Sequence, residues 1–150
     1  MVADVGCGRG HIFNHLAELG VKAIGYDISP AMIDEALRAF PGSKFEVGDL
    51  GSLDIADSSL AGVVALYSLI HLASAQLTDV FGESSRVLKP RALARVSFFG
   101  SRTLVTYGLR FDHAVVPVHE LFPEAVFGAT RGAEEVLRSR DRNYVCARSR

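Results

Sequence analysis

Three glycines in five residues stand near the start of the chain, between an apolar run and an amphipathic stretch. Gly6, Gly8 and Gly10 follow VADV and precede HIFNHLAEL. Glycine allows a sharp turn and lets a ligand approach bare backbone, and the helix that follows begins with unpaired N–H groups. The pattern is typical of a cradle for a polar or anionic ligand. It is equally compatible with a tight turn that binds nothing.

Two aspartates follow the next two strand-like runs. Asp27 comes near the end of VKAIGYDI, at the distance of about 20 residues after the glycines where a carboxylate can hold the two hydroxyls of a ribose. Asp49 follows KFEV and could accept a hydrogen bond from the amino group of a base. Both have simpler interpretations. Asp27 would merely precede the helix cap Ser29, and Asp49 would form an ordinary turn before Gly51.

The spacing of the glycines restricts the class of nucleotide. They follow G-x-G-x-G, and His11 stands at the position where the dinucleotide fingerprint G-x-G-x-x-G/A requires a small residue. The sequence also contains no G-x-x-x-x-G-K-[ST], which excludes a P-loop. An adenosine-bearing ligand is therefore favoured over one centred on a pyrophosphate. A nicotinamide-dependent oxidoreductase is the alternative that this spacing argues against.

The composition excludes several classes of protein. The chain has 150 residues, of which 49% are hydrophobic and 22% charged, and its formal net charge is −1. This length suits a single domain with one core, spanning residues 1–150. The near-neutral charge gives no strong sign of a nucleic-acid surface. Arginines crowd the last twenty residues, but acidic residues are mixed among them, so a solvated rim is expected there.

The cysteines and the apolar runs favour a cytoplasmic location. Cys7 and Cys146 are too few for a disulfide framework, which makes a reducing compartment the default. The N-terminus has no basic region followed by an apolar run, so no secretion signal is predicted. The most apolar stretch, residues 60–75, contains polar residues and falls short of the ~18–20 clean apolar residues that a spanning helix needs. No membrane contact is expected.

Strand-like and helix-like patterns alternate through the first hundred residues. Strands are predicted over 2–5, 21–28, 44–47, 60–69 and 92–99, and helices over 11–19, 30–40 and 74–87. This order predicts an α/β fold, a doubly wound sheet of mostly parallel strands with the glycine turn and Asp27 at its carboxyl edge. Further strands are expected over 104–109 and 143–147, and a short helix over 119–127.

The segments in this order resemble the motif series of the class I S-adenosylmethionine-dependent methyltransferases, in particular their small-molecule branch. The resemblance covers roughly residues 1–100 and rests on VADVGCGRG, IGYDISPAMI, FEVGDLGSLDIADSSLAGVVALYSLIHL and RVLKPRALARVSFF. It implies a Rossmann-like, mostly parallel sheet with an antiparallel C-terminal strand, for which 143–147 is the candidate. It also implies S-adenosylmethionine as cofactor, no metal, and methyl transfer to a small-molecule acceptor.

The same resemblance implies the residues of a cofactor site. Asp4 would lie near the methionine amino group, Asp27 on the ribose hydroxyls and Asp49 at the adenine amino group. The other expected contacts are Gly6, Cys7 and Gly8 beside the methionine and ribose, Ile28 and Leu50 beside the adenine, and Leu66 and Tyr67 at the methyl end. At a helix N-terminus Cys7 could have a lowered thiol pKa, but in this motif it is expected to pack as a small apolar residue.

No catalytic residue is assigned from the sequence. Transfer of an activated methyl group needs orientation and exclusion of water, and it needs a base only when the acceptor is weakly acidic. His71, His113 and His119 are the histidines that could act as one. His71 follows the fourth predicted strand, where a structural role is the better interpretation. The other two lie in a segment whose structure the sequence does not indicate.

Two departures from the family pattern matter. The chain begins at the first strand, where relatives carry preceding helices, so an N-terminally truncated domain is expected. Arg91 and Ala92 replace the two glycines that usually follow Pro90, which would strain Arg91 if φ is positive there. These departures keep open a methyltransferase-like domain without turnover, either a pseudoenzyme or an incomplete domain that needs a partner. Apolar surface left exposed by a missing cap would favour a homodimer.

Overall fold

The structure is a computed structural model and describes residues 1–98, 135–139 and 142–148. Within this part of the chain, strands form one sheet in the order β3-β2-β1-β4-β5-β7-β6. The strands are β1 (Val2–Val5), β2 (Ala23–Asp27), β3 (Phe45–Val47), β4 (Leu60–Leu66), β5 (Leu88–Phe98), β6 (Glu135–Ser139) and β7 (Arg142–Arg148). The helices are α1 (His11–Glu18), α2 (Pro30–Ala39) and α3 (Leu77–Val87), with 3₁₀ turns at Leu69–His71 and Ser74–Gln76.

The pairing of the strands confirms the predicted mostly parallel sheet. β1 pairs in parallel with β2 and β4, β2 with β3, and β4 with β5. β7 runs antiparallel to both of its neighbours, β5 and β6. Asp4 stands opposite Gly25 on one side and Val64 on the other. The carboxyl ends of β1, β2 and β4 therefore meet at one edge of the sheet.

Side chains alternating along β1 divide the core between the two faces of the sheet. Ala3 and Val5 belong to a large apolar cluster that includes Val80 of α3. On the other face, a smaller cluster joins Phe13 of α1 to Ile33 of α2. Helices thus cover both faces, which explains why the inner strands are apolar on both sides. This is the doubly wound arrangement that the sequence predicts.

The ends of α1 and α2 follow their local sequence signals. The Ser29 hydroxyl accepts a hydrogen bond from the Met32 N–H at 3.4 Å, with Pro30 in the first turn of α2. Gly20 closes α1 at a φ of 76°, and its N–H donates to the Ala17 carbonyl at 2.9 Å. Both helices therefore begin and end close to the predicted residues.

Two strands depart from their predicted bounds. β4 ends at Leu66 rather than at residue 69, because Tyr67 has a φ of 58° and turns the chain out of the sheet. β5 begins at Leu88, directly after α3, where the sequence suggested only the end of a helix. Arg91 lies inside β5 at a φ of 67°, which confirms the positive φ behind the strain expected for arginine there.

The loop between β3 and β4 is held by Arg86 of α3. The Arg86 guanidinium donates to the carbonyls of Leu53 and Ile55 at 3.1 and 2.8 Å. It also forms ion pairs with Glu83 and Asp57. Glu83 in turn accepts the Leu53 N–H at 2.7 Å, and its hydrogen bond from Arg86 holds the pKa of its carboxyl below the usual value. One arginine thus fixes the path of the chain from β3 to β4.

Some predicted features cannot be placed. The strand expected over 104–109 and the helix expected over 119–127 lie outside the described residues. The strand predicted over 143–147 corresponds to β7, whereas β6 was not predicted at all. Among the described residues, no helix combines the length and the apolar character needed to cross a bilayer.

Candidate functional site

The glycine turn between β1 and α1 lies in a conformation that other residues rarely adopt. Gly6, Gly8 and Gly10 have φ values of 72°, 51° and 81°. Residues from other segments also lie too close to two of these glycines for a side chain to fit. A Cβ on Gly6 would lie 2.1 Å from the Ser68 Cβ, and a Cβ on Gly10 would lie 2.6 Å from the Phe45 ring. The turn is therefore packed against the segment after β4 and against β3.

The first three N–H groups of this turn are used inside the protein. Gly6 and Cys7 both donate to the carbonyl oxygen of Tyr26, at 2.7 and 2.9 Å. Gly8 donates to the carboxylate of Asp27 at 2.8 Å. The expectation that N–H groups of this turn cradle an anion is therefore wrong for these three, because the end of β2 already satisfies them. A pyrophosphate would find no free donor among them.

Asp27 lies half-buried at the end of β2 and uses both of its carboxylate oxygens. One oxygen accepts the Gly8 N–H, and the other accepts the Ser29 N–H at 2.9 Å. The simple interpretation of Asp27, as a residue that precedes a capped helix, is thus correct, but it does not include the hydrogen bond to Gly8. A carboxylate has about four acceptor positions, so capacity remains for hydroxyl donors such as those of a ribose.

Asp4 is a buried carboxylate directly below the glycine turn. It is 1% exposed, and its Oδ2 has no hydrogen-bond partner in the part of the chain that the structure describes. Burial raises the pKa of Asp4 to about 7; a hydrogen bond from the Phe13 N–H opposes this rise, and the negative charge of Asp27 adds to it. A cationic group bound nearby would favour the ionised carboxylate.

Cys7 behaves as a small apolar residue. It is 8% exposed and belongs to the smaller apolar cluster with Phe13 and Phe45. Burial, together with the negative charges of Asp4 and Asp27, raises the pKa of its thiol to about 12. The predicted packing role is confirmed, and the alternative of a lowered pKa at the helix N-terminus is wrong because burial and two carboxylates outweigh the helix.

The three residues expected beside an adenine lie in different surroundings. Ile28 is 66% exposed and follows Asp27 directly, so it offers an apolar surface at the edge of the sheet. Leu50 is 8% exposed and packs in the large apolar cluster. Asp49 is exposed, and its Oδ1 accepts the Gly51 N–H at 2.8 Å, as the turn interpretation requires. Only Ile28 and Asp49 therefore present side chains to solvent.

The residues after β4 meet the glycine turn. Leu66 ends the strand half-buried, and Tyr67 donates its N–H to the carbonyl of Ser97 on β5 at 3.0 Å. Ser68 then packs on Gly6, and its hydroxyl oxygen is buried without a hydrogen-bond partner within the described residues. Sequence reasoning missed Ser68. The sequence indicates Ser68 only indirectly: a glycine at position 6 suggests that another residue packs closely there, but not which one.

Of the three histidines considered as bases, only His71 lies among the residues that the structure describes. His71 is exposed and ends the 3₁₀ turn that follows β4. His113 and His119 lie outside the described residues. Within residues 1–98 and the last two strands, no group of three or more His, Cys, Asp or Glu side chains could hold a metal ion.

A methyltransferase family model and curated methyltransferases match this chain. A family described as "Methyltransferase domain" matches residues 2–91. The chain is 29% identical to the O-methyltransferase resE of Aspergillus sclerotiorum over 150 residues, covering 91% of this chain and 52% of that protein. It is 44% identical to the 18S rRNA (guanine-N(7))-methyltransferase of Bos taurus over 50 residues, covering 33% of this chain and 18% of that protein.

A solved structure shows the same fold. The crystal structure of the PH0226 protein from Pyrococcus horikoshii OT3 matches with a TM-score of 0.86 and 22% identity, covering 99% of this chain and 81% of that one. The chain spans about half the length of the fungal relative and less than a quarter of the bovine one.

Proposed function

This chain belongs to the methyltransferase-domain family, and from that premise we propose that it transfers the methyl group of S-adenosylmethionine to a small-molecule acceptor. The cofactor would lie across the carboxyl ends of β2, β1 and β4. The observation that supports this most directly is the position of Asp27. Its carboxylate stands at the end of β2, in contact with a glycine turn whose first three N–H groups are already bonded.

The hydrogen bonds of the turn favour a nucleoside without phosphates. A dinucleotide would need free N–H groups to hold its pyrophosphate. Here Tyr26 and Asp27 occupy the donors of Gly6, Cys7 and Gly8. Adenosine with an uncharged or cationic 5′ substituent has no such need. The same bonds count against the nicotinamide alternative.

The charges at this edge of the sheet also match the cofactor. S-adenosylmethionine carries a sulfonium and an ammonium group, and both are cations. The Asp27 carboxylate lies close enough to Asp4 for its negative charge to raise the pKa of Asp4. The buried Oδ2 of Asp4 has no hydrogen-bond partner among the described residues. We assign Asp4 to the ammonium end and Asp27 to the ribose, as opposite charge and acceptor geometry require.

The remaining proposed contacts place the methyl group at the tip of β4. Ile28 would pack on the adenine, with Asp49 at its amino group and Leu50 behind it. Leu66 and Tyr67 would line the methyl end. When bound, the cofactor supplies an activated methyl group for in-line displacement. The protein's part is to hold the two reactants in line and to exclude water, and the proposal assigns no base.

The acceptor is proposed to be a small molecule that is methylated on oxygen. The fungal relative, which aligns with 91% of this chain, is an O-methyltransferase, and the formal net charge of −1 counts against a binding mode that relies on a strongly basic surface. The bovine relative acts on 18S rRNA, so an RNA acceptor is the competing outcome. Self-association and a cytoplasmic location stay predictions from the sequence.

Calorimetry with S-adenosylmethionine, S-adenosylhomocysteine and NAD tests the cofactor. We expect the first two to bind and NAD to give no response. Asp27→Ala should abolish binding, whereas Asp34→Ala, an exposed aspartate on α2, should leave it unchanged. A folded chain that binds neither adenosyl compound would overturn the proposal.

A methyl-transfer screen then tests the acceptor. Tritiated cofactor would be incubated with small phenols and carboxylic acids, and in parallel with ribosomal RNA. Label on a small molecule supports the proposal. Label on RNA alone overturns the small-molecule acceptor, and cofactor binding without turnover of either kind would make the chain a methyltransferase-like domain that lacks activity by itself.

A further inference from the structure

Three consecutive N–H groups of the glycine turn are bound by the end of β2. The backbone carbonyl of Tyr26 accepts two of them, from Gly6 and Cys7. The third, from Gly8, is accepted by a side chain, the carboxylate of Asp27, at 2.8 Å. The first two bonds involve only main chain and survive any substitution of the side chain at the end of β2. The third depends on the residue at position 27.

Packing holds the outer glycines of the turn but not the middle one. A Cβ on Gly6 would meet Ser68 and a Cβ on Gly10 would meet Phe45, each at less than 3 Å. At Gly8 no heavy atom lies within 4 Å of the same point. Packing in the Cβ direction therefore does not hold Gly8, and among the described residues the Asp27 carboxylate is the partner of its N–H.

We infer that Asp27 is a positioning residue for the glycine turn as well as a ligand for the ribose. Its Oδ2 fixes Gly8, and its Oδ1 fixes the Ser29 N–H at the start of α2. One carboxylate thus holds the two segments that flank the proposed ribose position. The ribose part of this inference rests on the proposed function, whereas the effect on the turn does not.

The two roles of Asp27 predict different responses to removing the ribose hydroxyls. If Asp27 only binds the two ribose hydroxyls, it contributes nothing to the affinity for a nucleoside that lacks them. Replacing Asp27 would then leave the affinity for a nucleoside without 2′ and 3′ hydroxyls unchanged. A residue that also positions the turn contributes to the binding of every nucleoside that contacts the turn.

Titration of adenosine and 2′,3′-dideoxyadenosine, followed by NMR, separates these roles. We expect Asp27→Ala to weaken the binding of adenosine strongly. We expect it to weaken the binding of dideoxyadenosine by about tenfold, because the turn that the nucleoside contacts is no longer held in place. The affinities of Asp27→Asn should lie between those of the wild-type chain and of Asp27→Ala. Its amide oxygen can accept a hydrogen bond from one of the two N–H groups, but its NH₂ is a donor and cannot accept one from the other. Asp34→Ala is the matched control and should change neither affinity.

The exchange rate of the Gly8 amide proton gives a second readout that needs no ligand. In the wild-type chain this proton should exchange at least about tenfold more slowly than in Asp27→Ala, while the Gly6 amide, bound to Tyr26, should be unaffected. If Asp27→Ala does not fold, the same comparison is made with Asp27→Asn.

The outcomes distinguish the two proposals. An unchanged affinity for dideoxyadenosine together with an unchanged Gly8 exchange rate would overturn the positioning role and leave the ribose role standing. If the wild-type chain binds no nucleoside, the proposed function fails. The exchange of Gly8 then still decides whether Asp27 holds the turn.

Discussion

The Cβ of Ser68 lies 2.1 Å from the point where a Cβ on Gly6 would stand. Ser68 follows β4 and Gly6 follows β1, so this contact joins the ends of two neighbouring strands without any space between them. The glycine turn and the segment after β4 are the two parts of the proposed site that flank the methyl end of the cofactor. Neither can shift toward the other.

Gly6→Ala should therefore destabilise the fold by more than its backbone strain alone. The positive φ costs alanine about 1 kcal/mol, and the overlap with Ser68 should add about 1–3 kcal/mol. Urea unfolding measures the sum. Gly8→Ala is the matched control, because it has the same kind of φ but no heavy atom within 4 Å of the new Cβ. If both variants lose the same free energy of unfolding, Ser68 moves away from the new Cβ without an energetic penalty, and the prediction is wrong.

Arg91→Gly should stabilise the protein. Arg91 is exposed and has a φ of 67°, a conformation that glycine adopts without strain. We expect the free energy of unfolding of the glycine variant to exceed that of Arg91→Ala by about 1 kcal/mol, because alanine retains the strain. Thermal and urea unfolding of the two variants provide the comparison. No difference between glycine and alanine would mean that the backbone at this position is not strained.

Asp4→Asn should remove a pH dependence of stability. The pKa of Asp4 is about 7 in the folded chain against 3.8 ordinarily, so between these pH values the carboxyl group takes up a proton on folding. Between these values the folded state binds more protons than the unfolded state, so stability falls as pH rises and the loss is complete above pH 7.

The variant cannot ionise, so its stability relative to wild type should rise between pH 4 and pH 8 by an amount on the order of 4 kcal/mol at most. Titrating groups that do not interact with Asp4 affect both proteins equally and cancel in the difference. Asp34→Asn, which replaces an exposed aspartate, controls for the exchange of a carboxylate for an amide. A constant difference between Asp4→Asn and wild type at all pH values would contradict a raised pKa.

A 5′ phosphate should weaken nucleoside binding. The donors of Gly6, Cys7 and Gly8 are occupied, and the carboxylate of Asp27 adds negative charge at the same edge. We expect 5′-AMP to bind at least about tenfold more weakly than adenosine, which corresponds to ~1.4 kcal/mol.

Competition against S-adenosylhomocysteine measures this difference. 5′-Methylthioadenosine, which is uncharged at the same position, serves as the control and should bind at least as well as adenosine. Tight binding of 5′-AMP would show that the turn can release its internal hydrogen bonds to a phosphate.

The sequence predicts the elements around the site because their signals are local. Ser29 and Pro30 begin α2 through a cap and a fixed φ, and the glycines of the turn mark the end of β1. The strain at Arg91, in contrast, was expected only through the family resemblance, which places glycines after Pro90, and the φ of 67° agrees with it. The placement of Asp27 at the end of β2 followed from the length of one strand-helix-strand unit, which varies little.

Features that depend on contacts between distant segments were not predictable. Gly8 and Asp27 are 19 residues apart, and nothing in the sequence states that the carboxylate takes up the N–H which an anion would otherwise use. Ser68 meets Gly6 only because β4 lies beside β1 in the sheet. β6 is short and contains both Glu135 and Arg138, so its sequence pattern resembles that of a solvated surface segment.

The Phe45 ring that fills the space beside Gly10 also fills the space beside Gly25, where a Cβ would lie 2.5 Å from it. Phe45 belongs to a strand of three residues at the edge of the sheet, paired on one side only. Segments held by few backbone hydrogen bonds open at a lower free energy than the whole fold. An opening of this strand would withdraw the ring from the turn, so the affinity for the proposed nucleoside would scale with the fraction of molecules in which the strand is docked.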